Sequence, residues 1–108
     1  GMPYKAAGFE TDATAVAWKG GTVFAAKCTQ LARDGKPVLK SAAPMTCEVN
    51  GSTVKYYRCT PGDATFGVAG KPASVTVNGQ PAKTFAFDAA KNTVTVSLPA
   101  GEGSVSFK

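Results

Sequence analysis

The stretch GKPASVTVNGQPAKTFAFDAAKNTVTVSLPAGEGSVSF, residues 70–107, decides the fold. Its apolar residues alternate with polar ones in short runs at residues 75–77, 85–87, 94–98 and 105–107. A period of two is typical of a strand with one buried and one solvated face. Asn78-Gly79 is a strong hairpin signal because both residues tolerate positive φ. The stretch therefore predicts a meander of antiparallel strands on which the rest of the chain packs.

The residues before this stretch show the same short runs separated by turn signals. Two hairpins are predicted, one across Gly20-Gly21 with Val23 and Phe24 as core candidates, and one across Asn50-Gly51. Residues 37–40 are predicted as an edge strand because Pro37 lacks a ladder donor. Residues 1–10 are predicted to be irregular, residues 29–33 to form one helical turn at most, and residues 64–68 a short strand.

This spacing of runs and turns predicts an all-β fold, an antiparallel β-sandwich of immunoglobulin-like or jelly-roll-like type with about 8–10 short strands. At 108 residues with 44% hydrophobic composition, the chain is predicted to form a single domain over residues 1–108. No signal peptide is visible, and the leading Gly1 looks like a cloning remnant. We therefore expect a domain excised from a larger protein.

The net charge of +5 comes from twelve basic residues that are scattered singly along the chain. The longest local cluster is Lys55-Tyr56-Tyr57-Arg58. A nucleic-acid-binding protein would present clustered basic residues with exposed aromatic rings, so this pattern favours a lysine-decorated surface and no nucleic-acid partner. No apolar run approaches the roughly 18 residues that a membrane span needs.

The three cysteines, Cys28, Cys47 and Cys59, occur in a chain without histidine and without a CxxC pair. This composition argues against a structural zinc site, and no cofactor is expected. With Asn50-Gly51 as a hairpin loop, Cys47 faces Val54, so a Cys47–Cys59 disulfide needs a shifted register or a bulge. A Cys28–Cys59 disulfide is equally open, and three buried free thiols are the remaining alternative.

The carboxylates do not form a catalytic pattern. General acid–base catalysis needs a histidine or two carboxylates held at a fixed separation. Five of the seven carboxylates lie beside turn residues, where capping of backbone amides accounts for them. Glu48 lies inside a predicted strand, where a solvated face, or a cross-strand pair with Lys55 or a neighbouring residue, accounts for it. Gly-rich phosphate-binding motifs are also absent from the sequence. We therefore expect a protein that is not an enzyme.

Aromatic side chains are the candidates for ligand contact, because a flat ring with a polar tip can stack on a sugar. Tyr56 and Tyr57 are adjacent in a predicted strand, so one faces inward and the other outward. Tyr57 is the candidate for the exposed ring. Trp18 is the second candidate, and packing in the core is the alternative role for it.

Residues 70–107 resemble the terminal β-sandwich module of bacterial polysaccharide-degrading enzymes, especially multidomain glycoside hydrolases. The resemblance is carried by residues 75–80 (VTVNGQ), 85–88 (FAFD), 92–98 (NTVTVSL) and 103–107 (GSVSF). In those enzymes the catalytic carboxylates lie in a separate domain. The resemblance thus implies a non-catalytic accessory domain, secreted or periplasmic, whose partners are a neighbouring catalytic domain in the parent chain and polysaccharide. No site residues of the family map onto this chain.

Two functional hypotheses follow. The first is the accessory domain of a carbohydrate-active enzyme, either packing an apolar face on its neighbour or binding glycan through an aromatic pair. The second is an immunoglobulin-like module for cell-surface adhesion or assembly, which predicts an exposed edge strand that accepts a partner strand. Residues 37–40 are the expected edge.

Overall fold

Twelve strands and no helix are found in the part of the chain that the computed structural model describes, residues 4–6 and 8–108. The strands are β1 (Tyr4–Ala6), β2 (Phe9–Thr11), β3 (Ala15–Lys19), β4 (Thr22–Arg33), β5 (Lys36–Asn50), β6 (Thr53–Arg58), β7 (Gly62–Gly67), β8 (Val75–Val77), β9 (Gln80–Pro81), β10 (Ala86–Asp88), β11 (Thr93–Leu98) and β12 (Gly101–Phe107). Every strand pair is antiparallel. The fold is therefore all-β, antiparallel and sandwich-like, as the sequence predicts. The described residues form twelve strands and not the predicted 8–10, and β4 and β5 are long, with 12 and 15 residues.

The long hairpin of β4 and β5 joins the two layers of this fold. Besides pairing with each other, β4 and β5 each pair with a further strand on the other side. This further strand is a different one in the two halves of each strand. Strand β4 pairs with β3 through residues 22–26 and with β2 through residues 31–33. Strand β5 pairs with β6 through residues 45–50 and with β7 through residues 39–41. One continuous sheet therefore divides into two arms.

Each arm is one layer of the sandwich. Layer A contains β3, the first half of β4, the second half of β5, β6, β12, β8 and β9. Layer B contains β1, β2, the second half of β4, the first half of β5, β7, β11 and β10. The core lies between them, and the Phe66 ring of layer B lies 5.5 Å from the Phe107 ring of layer A. Val94, Val96 and Leu98 are all buried, as their alternation predicts.

The hairpin bends between the layers where its pairing is irregular. The register shifts between Ala25 and Cys28 and again between Cys28 and Gln30. Lys27, inside the first irregularity, has a φ of 53°, a conformation that is uncommon for a residue with a side chain. Bulges of this kind increase the bend and twist of a strand. The irregular segment therefore lets one hairpin serve both layers.

Several local predictions upstream are wrong, and the bent hairpin explains two of them. Residues 29–33 continue β4 as a strand, with Leu31 paired to Leu39, because burial of this face outweighs local propensity. Residues 37–40 belong to the interior strand β5 and are not an edge. Pro37 is tolerated because it precedes the segment paired with β7, at a point where pairing to β4 is irregular. Within residues 1–10, β1 and β2 pair as a hairpin.

The terminal stretch contains the predicted strands but is not a meander. The Asn78-Gly79 hairpin is confirmed, with φ of 54° and 79° and Val77 paired to Gln80. However, β8, β9 and β12 lie in layer A, whereas β10 and β11 lie in layer B. The two residues after β11, Pro99 and Ala100, connect the layers. Alternation predicts strands, but it carries no information about which strands pair.

All three cysteines are free, so neither open disulfide pairing is present. Cys28 and Cys47 are buried, whereas Cys59 is exposed beyond the end of β6. The turn between β5 and β6 is Gly51-Ser52, one residue later than predicted, and Cys47 therefore faces Tyr56. A hydrogen bond with the neighbouring Cys28 thiol and burial both raise the pKa of Cys47, so its thiol stays protonated.

Candidate binding surface

The outer face of layer A brings exposed rings and charged groups together. Because paired residues of antiparallel strands point to the same face, the register places Phe24, Glu48 and Lys55 in one row across β4, β5 and β6. The next row contains Thr46, Tyr57 and Glu102 on β5, β6 and β12. We call the five larger side chains of these rows the aromatic platform: Phe24, Glu48, Lys55, Tyr57 and Glu102.

The platform surrounds a shallow groove of about 280 Å³. Phe24 is 40% exposed and Tyr57 is 50% exposed, so both rings present their surface to solvent. An exposed apolar patch rimmed by polar side chains is typical of an interaction site. The rings supply apolar area, and the carboxylates and the ammonium supply hydrogen-bonding groups between them.

Polar contacts of Tyr56 and Asn78 hold the strands beneath the platform in place. Tyr56 faces the core, and its hydroxyl donates to the Pro99 carbonyl at 3.4 Å. Burial raises the pKa of Tyr56, although a hydrogen bond with Asn78 and the charge of Arg58 oppose that effect. Asn78 Oδ1 in turn accepts a hydrogen bond of 2.9 Å from the Ser104 amide. These contacts tie β6 to the connection before β12, and β12 to the turn after β8.

Arg58 fixes the end of β6, next to Tyr57. The residue is buried, with only 2% of its surface exposed. Nε donates to the Thr60 carbonyl at 2.6 Å, and Nη1 donates to the Gly62 carbonyl at 3.1 Å. The planar guanidinium can hold both carbonyls at once, which folds residues 59–62 back over the end of the strand.

Replacing Arg58 by lysine should lower the free energy of unfolding by about 2 kcal/mol, because an ammonium group cannot reproduce the two-carbonyl geometry. Chemical denaturation measures this change. The control is Arg33→Lys, since Arg33 is exposed and lies over the Phe9 ring at 4.8 Å. That change should cost less than about 1 kcal/mol. Equal losses in the two variants would show that the Arg58 carbonyl contacts contribute nothing specific.

The structure separates the two ligand candidates that the sequence identifies. Tyr57 lies on the outer face, opposite in direction to buried Tyr56, as predicted. Trp18 pairs with Val23, which faces the core, and its ring lies 5.2 Å from the Phe9 ring. Although Trp18 is 44% exposed, it therefore covers the core at the edge strand β3 and does not share a face with Tyr57.

Phe24 is the platform residue that sequence reasoning assigned wrongly. It was a core candidate together with Val23, yet neighbouring residues of one strand cannot both face the core. The structure buries Val23 and exposes Phe24. The signal that identifies Phe24 is the position of its neighbour Ala25, which is fully buried and belongs to the same inward set as Val23.

Glu48 lies on the exposed face, opposite Lys55 in the register of β5 and β6, which agrees with two of the alternatives that the sequence leaves open. In the residues that the structure describes, no three acidic or cysteine side chains lie close enough together to hold a metal ion. The same residues include no helix with the length and hydrophobicity to cross a membrane.

Comparison with known proteins found no matching family model, curated relative or solved structure.

Proposed function

We propose that this chain is a non-catalytic accessory domain of a secreted or periplasmic carbohydrate-active enzyme, and that it binds polysaccharide on the aromatic platform. The observation that carries the proposal is the groove in which two exposed rings flank charged side chains. Sugar rings have apolar faces that stack on aromatic side chains and hydroxyls that pair with carboxylates and ammonium groups. The platform offers both kinds of contact on one surface.

The charged residues favour a glycan over a protein partner. The buried centre of a protein–protein interface is depleted of charged side chains, because their desolvation is costly. On the platform, Glu48 lies on the strand between those that carry the two rings, and Lys55 lies beside it on the strand of Tyr57. The hydroxyl groups of a hydrated sugar can form hydrogen bonds with these charged groups, whereas a neighbouring protein domain would have to bury them. Of the two accessory roles, glycan binding is therefore preferred to structural packing.

The spacing of the rings favours a chain of sugars over a single one. Phe24 and Tyr57 lie on strands separated by β5 and in neighbouring rows, so their backbones are more than roughly 10 Å apart. One sugar ring cannot stack on both side chains at that distance. The platform should therefore bind oligosaccharides and show no measurable affinity for monosaccharides.

Replacing Phe24 or Tyr57 by alanine should weaken polysaccharide binding about tenfold each, the equivalent of about 1.4 kcal/mol of lost stacking. Affinity electrophoresis with a panel of soluble neutral and acidic polysaccharides identifies the ligand, and isothermal titration then measures the change. Both residues are exposed, so the fold should be retained, and circular dichroism checks this. Trp18→Phe is the control and should leave affinity unchanged.

Two results would contradict the proposal. One is the absence of binding to every polysaccharide of the panel by a folded wild-type domain. The other is an equal loss of affinity in Tyr57→Ala and Trp18→Phe, which would remove the platform as the binding surface. The adhesion hypothesis lacks support of its own, since the edge strand that it named is interior strand β5.

A further inference from the structure

A second and larger concavity lies at one end of the sandwich and shares no lining residue with the groove of the aromatic platform. It is an open groove of about 1120 Å³. Its walls are formed by the β4–β5 turn, the β5–β6 turn, residues 67–72, the β10–β11 turn and the end of β12. Both layers contribute, so the groove is a property of the assembled fold.

Backbone hydrogen bonds connect the walls of this groove to one another. The Val68 amide donates to the Asn92 carbonyl at 2.9 Å, and the Phe107 amide donates to the Ser52 carbonyl at 2.9 Å. Ser74 and Lys108 exchange two backbone hydrogen bonds, each of 2.9 Å. Backbone contacts of this kind fix the groove before any ligand enters, which lowers the entropic cost of binding.

The charged side chains that line the groove are all of one sign. Lys36, Lys71, Lys91 and Lys108 all line it, and all four are exposed. No Asp or Glu is among the residues that line it. Lysines are scattered along the sequence, but the fold gathers four of them around one concavity. Like charges in a cleft raise the local concentration of ligands of opposite charge.

We propose that this lysine groove is a binding site for an acidic polysaccharide, a sugar polymer that carries carboxylate or sulfate groups. The choice of a sugar polymer rests on the proposed function, whereas the anionic character follows from the lysines alone. The volume exceeds that of a typical small-molecule pocket, so several charged sugars fit within it. The groove extends the surface available to a glycan beyond the aromatic platform.

The side chains of the groove favour a polysaccharide over a nucleic acid. Nucleic-acid sites commonly use arginine for paired contacts to phosphate and guanine, and exposed aromatic rings for base stacking. Neither Arg33 nor Arg58 lines the groove, and its one aromatic residue, Phe107, is buried. Four separated ammonium groups match charges that are distributed along a sugar polymer.

The test measures binding of sodium polygalacturonate, dextran sulfate, neutral dextran and double-stranded DNA at low salt. We expect at least tenfold tighter binding to one of the two acidic polymers than to neutral dextran or to DNA, and the preferred acidic polymer identifies carboxylate or sulfate as the ligand. The double variant Lys36→Gln/Lys91→Gln should lose about tenfold in affinity for that polymer. The double variant Lys19→Gln/Lys83→Gln removes the same charge outside the groove and should lose less than twofold.

Equal losses in the two double variants would overturn the proposal, because they would show a net-charge effect and no site. Tighter binding to DNA than to both acidic polymers would overturn it as well. The variants Phe24→Ala and Tyr57→Ala keep this test separate from the proposed function. If these two variants bind the acidic polymer as tightly as the wild type does, the proposal of a binding site in the lysine groove is retained. It is retained even when glycan binding on the aromatic platform is disproved.

Discussion

Replacing Gly67 by alanine is expected to lower the free energy of unfolding by more than about 4 kcal/mol, or to prevent folding altogether. Gly67 ends β7, at the point where this strand crosses the beginning of β5. A Cβ atom added there would lie 2.0 Å from the Pro37 carbonyl oxygen and 3.0 Å from its carbon. Both atoms belong to the backbone, so no side-chain rotation relieves the overlap, and β5 or β7 has to move.

Thermal and urea denaturation measure the effect, with Gly70→Ala as the matched control. Gly70 follows in the same connection, and a Cβ atom there would meet nothing within 4 Å. The control should change stability by less than about 0.5 kcal/mol, as surface substitutions usually do. If Gly67→Ala were as stable as the control, the close approach of β7 to β5 would be wrong.

Replacing Asp12 by alanine is expected to lower the free energy of unfolding by about 3 kcal/mol, because charged hydrogen bonds to backbone amides are lost. Asp12 lies between β2 and β3. It is opposite the part of β4 where the pairing with β3 ends and the pairing with β2 begins. Its carboxylate accepts from the Thr29 amide at 2.9 Å, from the Gln30 amide at 3.1 Å and from the Thr29 hydroxyl. Without it, two amides of the bent hairpin lose their acceptor.

The Asp12 contribution should also depend on pH. Burial alone would raise the pKa of this carboxyl, but the hydrogen bonds from Thr29 and Gln30 outweigh burial and lower the pKa. A lowered pKa means that the stabilisation is present above the unfolded value, near 3.9, and is lost as pH falls through the lower folded value. The stability difference between wild type and Asp12→Asn should therefore shrink as pH falls below about 4.

Asp88→Ala and Asp88→Asn are the controls for the same two substitutions of Asp12. Asp88 also accepts from two amides, those of Ala90 at 2.9 Å and Lys91 at 3.2 Å, but it lies in an exposed local turn. Its replacement should cost less than about 1 kcal/mol. If Asp12→Ala cost no more than that, Asp12 would be an ordinary turn residue and would not stabilise the bent hairpin.

The features that the sequence predicts correctly depend on neighbouring residues. The Asn78-Gly79 turn follows from two residues that tolerate positive φ. The burial of Val94, Val96 and Leu98 follows from alternation within one strand, and so does the outward direction of Tyr57. In each case, the residues that determine the feature lie within a few positions of it in the sequence.

The features that the sequence does not predict depend on distant residues. Asp12 looks like a turn residue, yet its amide partners lie 17 and 18 positions away in β4. The partner changes of β4 and β5 depend on bulges that leave no periodic signal. Phe24 joins Tyr57 on the platform only through the register of β4, β5 and β6. The lysine groove likewise exists only after five separate segments meet.

The most direct test of the proposed glycan-binding function is chemical-shift mapping by NMR of the ¹⁵N-labelled domain during titration with its preferred oligosaccharide. We predict the largest amide shifts around the outer-face groove of layer A, at Phe24, Thr46, Lys55, Tyr57 and Glu102. Shifts should be absent around Trp18, apart from those of its strand neighbours in β4. Shifts centred on the Trp18 edge, or none at saturating oligosaccharide, would contradict the account.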